Sequence, residues 1–581
     1  MRSPRLVFDF LKAKWYVYAS GMAFTAAANV VYAQFPKTIG QFTDKLNDGI
    51  LSLSSITDYG LFLLAIGVGY AALGGIGQYH VMYIGRVFEY ETRQLLFDHF
   101  TRMTDSFYSK QGVGKLLNYF MNDVKGVRES ISGGVNHTTN AIMLLLSSVY
   151  AMLTSSIPYY LILACIMPLL TIPFIVVKFG PVIRRRSMEV QQALGAMTEM
   201  AEEQFGGIRV TKKFAVESIM NRRFGREVDL VRDKQIRLVR ISSFFQALIP
   251  FAGALSMSTA ISFGGYLTLR GSITVGNFVA LTLYIRMMIT PLQQIGNVIN
   301  TMQRSRASLE RLNRLFAVKA DVEEKEQAHD ANFAQSALEI RNVSFAYPDA
   351  ASLALQGIDL RLEPGRTLGI VGKTGSGKTT LVKLLLRVYD PSEGAITTGG
   401  VDMRELKLGS LRKGIAYVPQ DGFLFNSTIR DNIAFYERKS RLDEVELAAR
   451  LAQLYDDVRE FPEQFNTKLG ERGVTLSGGQ RQRTSLARGL IKKAPVLILD
   501  DSFSAVDSIT ENRILDSIRK ERDGKTNIIV SHRISAVKSA DEIIVLDEGR
   551  IVQRGKHWEL LSRKGLYAEL HALQEEGSMN G

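Results

Sequence analysis

The sequence contains a glycine-rich octapeptide at residues 372–379 with the spacing of a phosphate-binding loop, G-x-x-x-x-G-K-[ST]. It follows the apolar run Thr367 to Val371, which predicts a strand, and it precedes a helical pattern. The glycines let backbone N–H groups turn towards phosphate oxygens, and the dipole of the following helix adds positive potential. Lys378 can reach the terminal phosphates and Thr379 can bind Mg²⁺, so these residues predict a site for ATP with Mg²⁺.

A second part of the predicted site is Asp500, which ends the apolar, strand-like run Val496 to Leu499. A carboxylate at the end of a strand can hold the metal ion and its water. Such an aspartate is weak evidence by itself. Combined with the phosphate-binding loop, it favours a magnesium-dependent ATP hydrolase.

The first half of the chain is apolar and the second half is charged, which predicts a membrane domain followed by a soluble one. A bilayer core of about 30 Å requires about 20 mostly apolar residues per helix, and six segments meet this requirement. The short stretch Ser155 to Pro158 predicts a tight hairpin between the third and fourth spans. The predicted spans are Trp15 to Phe35, Tyr59 to Tyr83, Thr139 to Thr154, Tyr159 to Val177, Phe245 to Leu269 and Val275 to Val298.

The chain carries a net charge of +13, and its basic residues concentrate in the segments that flank and connect the spans. This is the pattern of cytoplasmic loops, so we interpret it as membrane topology and not as a nucleic-acid surface. The basic Met1 to Lys14 predicts a cytoplasmic amino terminus before a retained first span. Helical periodicity predicts that the spans extend beyond the bilayer, with Thr104 to Tyr119 and Phe214 to Phe224 as short helices against the soluble domain.

We therefore predict three regions along the chain. Residues 1–317 form a transmembrane domain, residues 318–336 form a polar, acidic linker, and residues 337–581 form an α/β nucleotide-binding domain. The single cysteine, Cys165, excludes a disulfide within the chain and a zinc site built from several cysteines.

The segment Leu476 to Gln480, with the sequence LSGGQ, resembles the signature of the ATP-binding cassette (ABC) family, and the resemblance covers nearly the whole chain. Thr467 to Gly473 also resembles a segment found in exporters of this family. The other marks of the family follow in the family's order, and they are Tyr347, Gln420, Asp507 and His532.

The resemblance implies a membrane domain of six helices fused to a cytoplasmic α/β P-loop ATPase domain, in a chain that works as a dimer. In the family, the signature closes onto ATP held by the opposite subunit. Tyr347 would stack on adenine, Thr379, Gln420 and Asp500 would hold Mg²⁺, and the catalytic groups would be Gln420, Asp501 and His532. The implied nucleotide contacts are Tyr347, Gly372, Lys373, Thr374, Gly375, Ser376, Gly377, Lys378, Thr379, Thr380, Gln420, Ser477, Gly478, Gly479, Gln480 and Asp500.

Asp501 departs from the family pattern, in which a glutamate usually follows the metal-binding aspartate. Aspartate is one methylene shorter, and a displacement of about 1 Å can slow a reaction on the order of a hundredfold. In this respect the chain resembles one subunit of the heterodimeric bacterial multidrug exporters, the one whose own ATP site is degenerate. The alternative is a homodimer in which Asp501 serves as a slower base.

The resemblance implies ATP-driven export of amphipathic drugs or other hydrophobic compounds across the cell membrane. A lipid or lipid-linked flippase would share every motif. An ATP-gated regulator that transports nothing would share the ATPase domain, whereas the spans argue against soluble members and the fused domains against an importer. The expected partners are a second half-transporter, membrane lipid and a hydrophobic small molecule, with no nucleic acid.

Arg286 lies inside the sixth predicted span, where a charge is costly, so we expect it to face a water-filled cavity or an acidic partner. It could contact substrate or a gate, or form a structural pair with a neighbouring helix. Pro291, one turn later, would free a backbone carbonyl. Several other residues of the spans could line an adaptable cavity or pack against helices and lipid, and they are Tyr79, Tyr83, Phe251, Met257 and Met288.

Overall fold

A computed structural model describes residues 6–348, 350, 352–470, 473 and 476–579 of the chain. It divides the chain into two compact units. The helical unit comprises Met1–Arg102 and Ser109–Lys319, and the α/β unit comprises Met103–Tyr108 and Ala320–Gly581. Six residues from the first long loop thus belong to the α/β unit.

The helical unit contains long helices, several of which extend well past the length of a bilayer. α3 has 50 residues, which at 1.5 Å per residue is about 75 Å, more than twice the thickness of a bilayer core. This confirms that helices continue beyond the predicted spans. The helices of this segment of the chain are α1 (Leu6–Tyr32), α2 (Gln34–Asn47), α3 (Leu53–Arg102), α4 (Asp105–Gln111), α5 (Val113–Asn118), α6 (Val124–Glu129), α7 (Val135–Leu153), α8 (Tyr159–Gly206), α9 (Ile208–Lys213), α10 (Glu217–Thr259), α11 (Gly265–Leu269) and α12 (Val275–Ala317).

Four of the six predicted spans lie in helices that are long and apolar enough to cross a membrane. These helices are Leu53–Arg102, Tyr159–Gly206, Glu217–Leu269 and Val275–Leu292. The first and third predicted spans lie in α1 and α7, which do not reach that hydropathy. The first span also differs from its predicted end at Phe35, because α1 ends at Tyr32 and α2 begins at Gln34.

α1 and α7 contain buried polar residues, and some of these contact each other across the two helices. Asn29 is fully buried in α1, and its Nδ2 donates to Oδ1 of Asn140 in α7 at 3.0 Å. Ser147 of α7 donates to the Asn29 carbonyl at 3.3 Å. Hydrogen bonds of this kind between helices lower the cost of burying these polar groups in the bundle.

Of the three predicted connecting elements, the hairpin and the first short helix are found and the second short helix is not. α7 ends at Leu153 and α8 begins at Tyr159, which confirms the tight hairpin. The first predicted short helix is found as α4 and α5. The second prediction, Phe214 to Phe224, is wrong: the short helix is the earlier α9, and Glu217 already begins the long α10. Gly207, which precedes α9, and the turn at 214–216 set the boundaries of that short helix.

The α/β unit contains two sheets. The strands predicted at Thr367 to Val371 and Val496 to Leu499 are confirmed as β3 and β7. The strands are β1 (Leu338–Phe345), β2 (Leu355–Leu362), β3 (Thr367–Gly372), β4 (Glu393–Thr398), β5 (Val401–Asp402), β6 (Ile415–Val418), β7 (Val496–Asp500), β8 (Thr526–Val530), β9 (Glu542–Asp547) and β10 (Arg550–Gly555). The helices are α13 (Lys378–Leu385), α14 (Leu408–Gly414), α15 (Ile429–Ile433), α16 (Leu442–Leu451), α17 (Tyr455–Arg459), α18 (Gly478–Leu490), α19 (Ser508–Glu521), α20 (Ile534–Val537), α21 (His557–Ser562) and α22 (Leu566–Met579).

The larger sheet has the order β10-β9-β3-β8-β7-β6, and its five strands from β9 to β6 are parallel. The smaller sheet is antiparallel, in the order β2-β1-β4-β5. β3, β7 and β8 are buried almost throughout, as expected for strands covered on both faces. The parallel sheet therefore presents the carboxyl ends of its strands at one edge.

The segment predicted as a linker has no helix and no extended strand, but it is anchored to the α/β unit. Val322 and Phe333 are buried. His329 forms a short bridge with Leu406, and the Ala331 N–H donates to Ser410 Oγ at 2.9 Å. The segment is therefore packed against the domain that follows it.

Candidate functional site

The predicted site residues meet at the carboxyl ends of four adjacent parallel strands. β3 ends at Gly372, β7 ends at Asp500, and His532 follows β8 after one residue. Gln420 follows β6 after one residue. Because β3, β8, β7 and β6 are neighbours in that order, residues far apart in the chain lie together at one edge of the sheet.

The phosphate-binding loop connects β3 to α13, as predicted. Gly377 caps the helix with φ +100°, and a Cβ there would lie 2.8 Å from the Ala354 carbonyl oxygen. A Cβ on Gly372 would overlap the Leu546 carbonyl oxygen. Both positions therefore require glycine for conformation or space. Ser376 is buried, and its Oγ has no hydrogen-bond partner.

Lys378 folds back over the loop. Its Nζ donates to the carbonyl oxygens of Gly372 and Lys373, each at 2.8 Å. Burial lowers the pKa of Lys378, while the charges of Asp501 and Asp500 act in the opposite direction. The ammonium group is thus held next to the loop, where a phosphate could replace the two carbonyl oxygens as its partner.

Asp500 has the environment of a metal ligand. Its side chain is buried, and it accepts hydrogen bonds from Tyr417 Oη at 3.3 Å and Thr379 Oγ1 at 3.4 Å. Burial raises the pKa of Asp500. A desolvated carboxylate beside a hydroxyl offers the hard oxygen donors that Mg²⁺ prefers. In the described part of the chain, there is no group of three or more His, Cys, Asp or Glu residues that could hold a metal ion.

Asp501 joins the two residues predicted to act with it. Its Oδ2 accepts from Gln420 Nε2 at 3.2 Å, and its Oδ1 lies 2.7 Å from His532 Nδ1. The backbone of Asp501 is left-handed, with φ +48°, and its N–H donates to the Val530 carbonyl at 2.8 Å. The shorter carboxylate is therefore in direct contact with both neighbours.

The position of His532 depends on a residue that the sequence did not reveal. Gln574 of α22 donates through Nε2 to the His532 carbonyl at 2.7 Å and accepts at Oε1 from the Ile534 N–H at 2.9 Å. This arrangement requires one donor and one acceptor on the same side chain, which an amide supplies. A lone glutamine 42 residues from the histidine carries no signal that reasoning from a motif could use.

The signature begins α18 and is braced against the same region. Ser477 Oγ accepts from the Gln480 N–H at 3.2 Å, and Gln480 Oε1 accepts from the Ser477 N–H at 3.0 Å, which is a capping box. Gln482, two residues later, donates to Ser504 Oγ at 3.0 Å and accepts from the Ala505 N–H at 2.9 Å. Gln482, like Gln574, has no sequence signal that marks it as part of the site.

The signature and the phosphate-binding loop are not connected to each other within this chain. Among the described residues, no hydrogen bond or ion pair joins residues 477–480 to residues 372–380. Each is a separate helix N-terminus of the kind that binds phosphate. One chain can thus supply two separate phosphate-binding ends.

Tyr347 lies beside the helix that follows the loop. Its Oη is 3.0 Å from Thr380 Oγ1, and its ring makes edge contacts with Phe345 and Tyr389. The Lys383 ammonium lies 5.9 Å from the ring centre. The ring is only partly buried, so it can offer a surface to a planar group.

Two further motifs of the family resemblance, Asp507 and the segment Thr467 to Gly473, form hydrogen bonds within the α/β unit. Asp507 caps α19 by accepting from the N–H groups of Ile509 and Thr510, which together hold its pKa below the usual range. In the segment Thr467 to Gly473, the Thr467 carbonyl accepts from the Ile429 N–H at 3.1 Å. Glu471 and Arg472 of that segment lie outside the described residues.

Comparison with known families identifies both halves of the chain. Residues 19–292 match the family described as ABC transporter transmembrane region, and residues 355–504 match the family described as ABC transporter. The order of the two matches is that of the two units described above.

Individual proteins resemble the chain over nearly its whole length. It is 35% identical, over 97% of its length and 96% of the relative's, to YheI of Bacillus subtilis (strain 168), named "Probable multidrug resistance ABC transporter ATP-binding/permease protein". It is 33% identical to an ATP-dependent lipid A-core flippase of Syntrophus aciditrophicus (strain SB), over 88% of its length and 85% of the flippase's. Among solved structures, a bacterial Atm1-family ABC exporter with ATP bound superposes with a TM-score of 0.77 at 25% identity, covering 99% of this chain and all of the other.

Proposed function

Because the chain belongs to the ABC transporter family, we propose that it is one half of a dimeric, ATP-driven exporter of the cell membrane. We assign residues 1–317 to the transmembrane domain, 318–336 to the linker and 337–581 to the ATPase domain, with the amino terminus and the ATPase domain in the cytoplasm. The observation that carries this proposal is the meeting of Lys378, Asp500 and Asp501 at one sheet edge, in a chain that also contains membrane-length helices.

The site residues receive their roles from their positions. The N–H groups of the loop from Gly372 to Thr380 bind the phosphates, with Lys378 on the terminal ones, and Tyr347 stacks on adenine. Thr379, Asp500 and Gln420 hold Mg²⁺, which supplies neutralisation of phosphate charge when it is bound. Asp501 and His532 orient the attacking water with Gln420, and Gln574 and Gln482 act as positioning residues.

A complete ATP site is proposed to need two chains. Within the described residues, the N-terminus of α18, from Ser477 to Gln480, forms no hydrogen bond or ion pair with the phosphate-binding loop, yet it has the geometry of a phosphate site. We propose that it closes onto ATP held by a second subunit. ATP would then pull the two ATPase domains together, and hydrolysis would release them.

The shorter Asp501 supports a heterodimer in which this chain's own ATP site is degenerate. Its Oδ2 accepts from Gln420 and its Oδ1 lies 2.7 Å from His532 Nδ1, and both contacts compete with the attacking water for the carboxylate, which would slow hydrolysis at this site. In this assembly the intact signature would complete the competent site of the partner. The alternative is a homodimer in which Asp501 is the base, and it predicts that Asp501→Asn abolishes hydrolysis.

For the transported compound we favour amphipathic, hydrophobic molecules taken from the membrane. YheI is named for multidrug resistance, and the second relative is named as a lipid A-core flippase, so a lipid is the second candidate. Amphipathic drugs and lipids both partition into the bilayer, where the apolar spans of this chain would meet them.

Transport by the reconstituted protein tests this proposal. Proteoliposomes with outward-facing ATPase domains should accumulate an amphipathic dye when ATP is added, and Lys378→Ala should abolish that accumulation. Movement of a labelled lipid without any movement of dye would favour the flippase. ATP hydrolysis without movement of either probe would contradict the exporter and support an ATP-gated regulator.

A further inference from the structure

The helix that contains the sixth predicted span, α12, has an apolar face that is buried and a polar face that is not. Tyr284, Met288 and Leu292 are buried in the core of the helical unit, and the Tyr284 hydroxyl donates to the Ala33 carbonyl at 2.9 Å. The opposite face carries Arg286 and Thr290, both of which are exposed. Residues four apart share a face of a helix, so the two side chains form one polar surface.

Arg286 is distinguished by its charge. It is the only Asp, Glu, Lys or Arg in the six predicted spans. It lies eleven residues after Val275, which begins α12, and this places it about 16 Å along the helix, near the middle of a 30 Å bilayer core. A charge at that depth is costly unless it faces water or an opposite charge.

Neither this chain nor a second copy of it supplies that opposite charge within the spans. Arg286 forms no ion pair and no side-chain hydrogen bond with any residue that the structure describes. The six spans contain no Asp and no Glu, so an identical subunit has no carboxylate at this depth. An acidic partner for Arg286 is thus not found among the described residues, so its exposed face could take a ligand.

We propose that the polar face of α12 lines the transport path and that Arg286 binds an anionic group of the transported amphiphile. This inference rests on the proposed exporter function and narrows its substrate to molecules with a sulfonate, phosphate or carboxylate beside an apolar body. The planar guanidinium pairs with such groups through two parallel N–H bonds, and Thr290 adds a hydroxyl on the same face. The same charge would disfavour cationic amphiphiles.

A matched pair of probes tests this inference. 8-Anilinonaphthalene-1-sulfonate and N-phenyl-1-naphthylamine share their aromatic skeleton, and only the first carries a sulfonate. The measurement is the probe concentration that gives half-maximal stimulation of ATP hydrolysis by the reconstituted, active dimer. For the sulfonate, Arg286→Gln should raise this concentration at least about tenfold, as expected for loss of a hydrogen-bonded charge pair. Arg286→Lys, which keeps the charge, should raise it by less.

The neutral probe and a second variant provide the controls. The response to N-phenyl-1-naphthylamine should be the same in Arg286→Gln and in the unmodified protein. Arg270→Gln removes an equal charge from an exposed residue outside the spans that stacks on Tyr266, and it should leave both responses unchanged.

The possible outcomes separate the inference from the proposed function. Equal shifts for the two probes, or no shift for the sulfonate, would overturn the role of Arg286 while leaving the exporter intact. If Arg286→Gln prevented the dimer from forming, the proposed role in substrate binding would also be overturned. That result would indicate that Arg286 of the unmodified protein pairs with a carboxylate of a different subunit. Absence of ATP-dependent movement of any probe by the unmodified protein would contradict the exporter itself, and the inference would fall with it.

Discussion

In the α/β unit, Lys378, Asp500 and Asp501 each have bonding partners within the chain, whereas in the helical unit Arg286 has no ion pair or side-chain hydrogen bond with a residue that the structure describes. The first group forms a site whose parts hold one another in place before any ligand binds. The second is a charge in a predicted membrane span, without an ion-pair partner in the part of the chain that is described. Under the proposed function, the first group would be ready for nucleotide before a ligand arrives, whereas Arg286 would obtain its counter-charge from the transported molecule.

The largest expected effect comes from removing the charge nearest the phosphates. Lys378→Ala should lower ATP hydrolysis on the order of a hundredfold or more, because it removes the ammonium group that is held beside the phosphate-binding loop. The measurement is phosphate release by the reconstituted dimer. Lys439→Ala removes an exposed lysine from a distant loop and serves as the control. Equal activity of the two variants would contradict the proposed nucleotide site.

The next effect concerns the amide that positions His532. Gln574→Leu should lower kcat about tenfold with little change in the KM for ATP, because it removes both hydrogen bonds to the backbone around His532 without touching the phosphate-binding loop. Gln574→Glu should also lower kcat, since a carboxylate cannot donate to the His532 carbonyl. Leu573→Ala, an exposed neighbour on α22, controls for damage to the helix. A lower melting temperature with an unchanged kcat would show that Gln574 is only structural.

A smaller effect is expected in the helical unit, where Asn29 and Asn140 are bonded to each other. Asn29→Leu should destabilise the protein by about 1 kcal/mol, because it leaves the Asn140 amide without its partner. The double variant Asn29→Leu, Asn140→Leu should recover much of this loss, since both polar groups are then gone. The double-mutant cycle is measured by denaturation in detergent. Additive losses would show that the two residues are not coupled.

The smallest effect is a gain in stability. A raised pKa means that folded Asp500 binds its proton more tightly than the unfolded chain does, so its contribution to stability is present at low pH. That contribution is lost as pH rises through the unfolded and then the folded pKa. Above this pH range, Asp500→Asn should raise the melting temperature of the nucleotide-free protein by about 2 °C. Adding Mg²⁺ with ATP should no longer stabilise the variant. The difference should vanish at low pH. A lower melting temperature at neutral pH would contradict the burial argument.

The sequence was most informative where chemistry is local. The phosphate-binding loop, the strand before it and Asp500 could be predicted because eight consecutive residues determine a backbone path around phosphate. The helical extensions beyond the bilayer followed from periodicity. The fold of a helical membrane domain fused to an α/β ATPase domain is confirmed by the matched families and by the solved exporter.

What the sequence did not show depends on contacts between distant residues. Gln574 and Gln482 act through backbone atoms of other segments, and single glutamines carry no pattern. Hydropathy alone also does not show why α1 and α7 can be polar, because Asn29 and Asn140 compensate each other only after the helices pack. The short helix predicted at Phe214 to Phe224 was misplaced because helical periodicity does not show where a turn such as that at 214–216 interrupts it.

The central claim is that this chain contributes a half-site that a different subunit completes. It is tested most directly by purifying the chain alone and together with the product of the neighbouring gene that most resembles it, and by comparing oligomeric state and ATP hydrolysis in lipid. We predict that only the mixture forms a stable, active dimer, and that Asp501→Asn leaves most of its activity. A stable dimer of the chain alone that hydrolyses ATP, and that loses this activity with Asp501→Asn, would contradict the claim and make Asp501 the catalytic base of a homodimer.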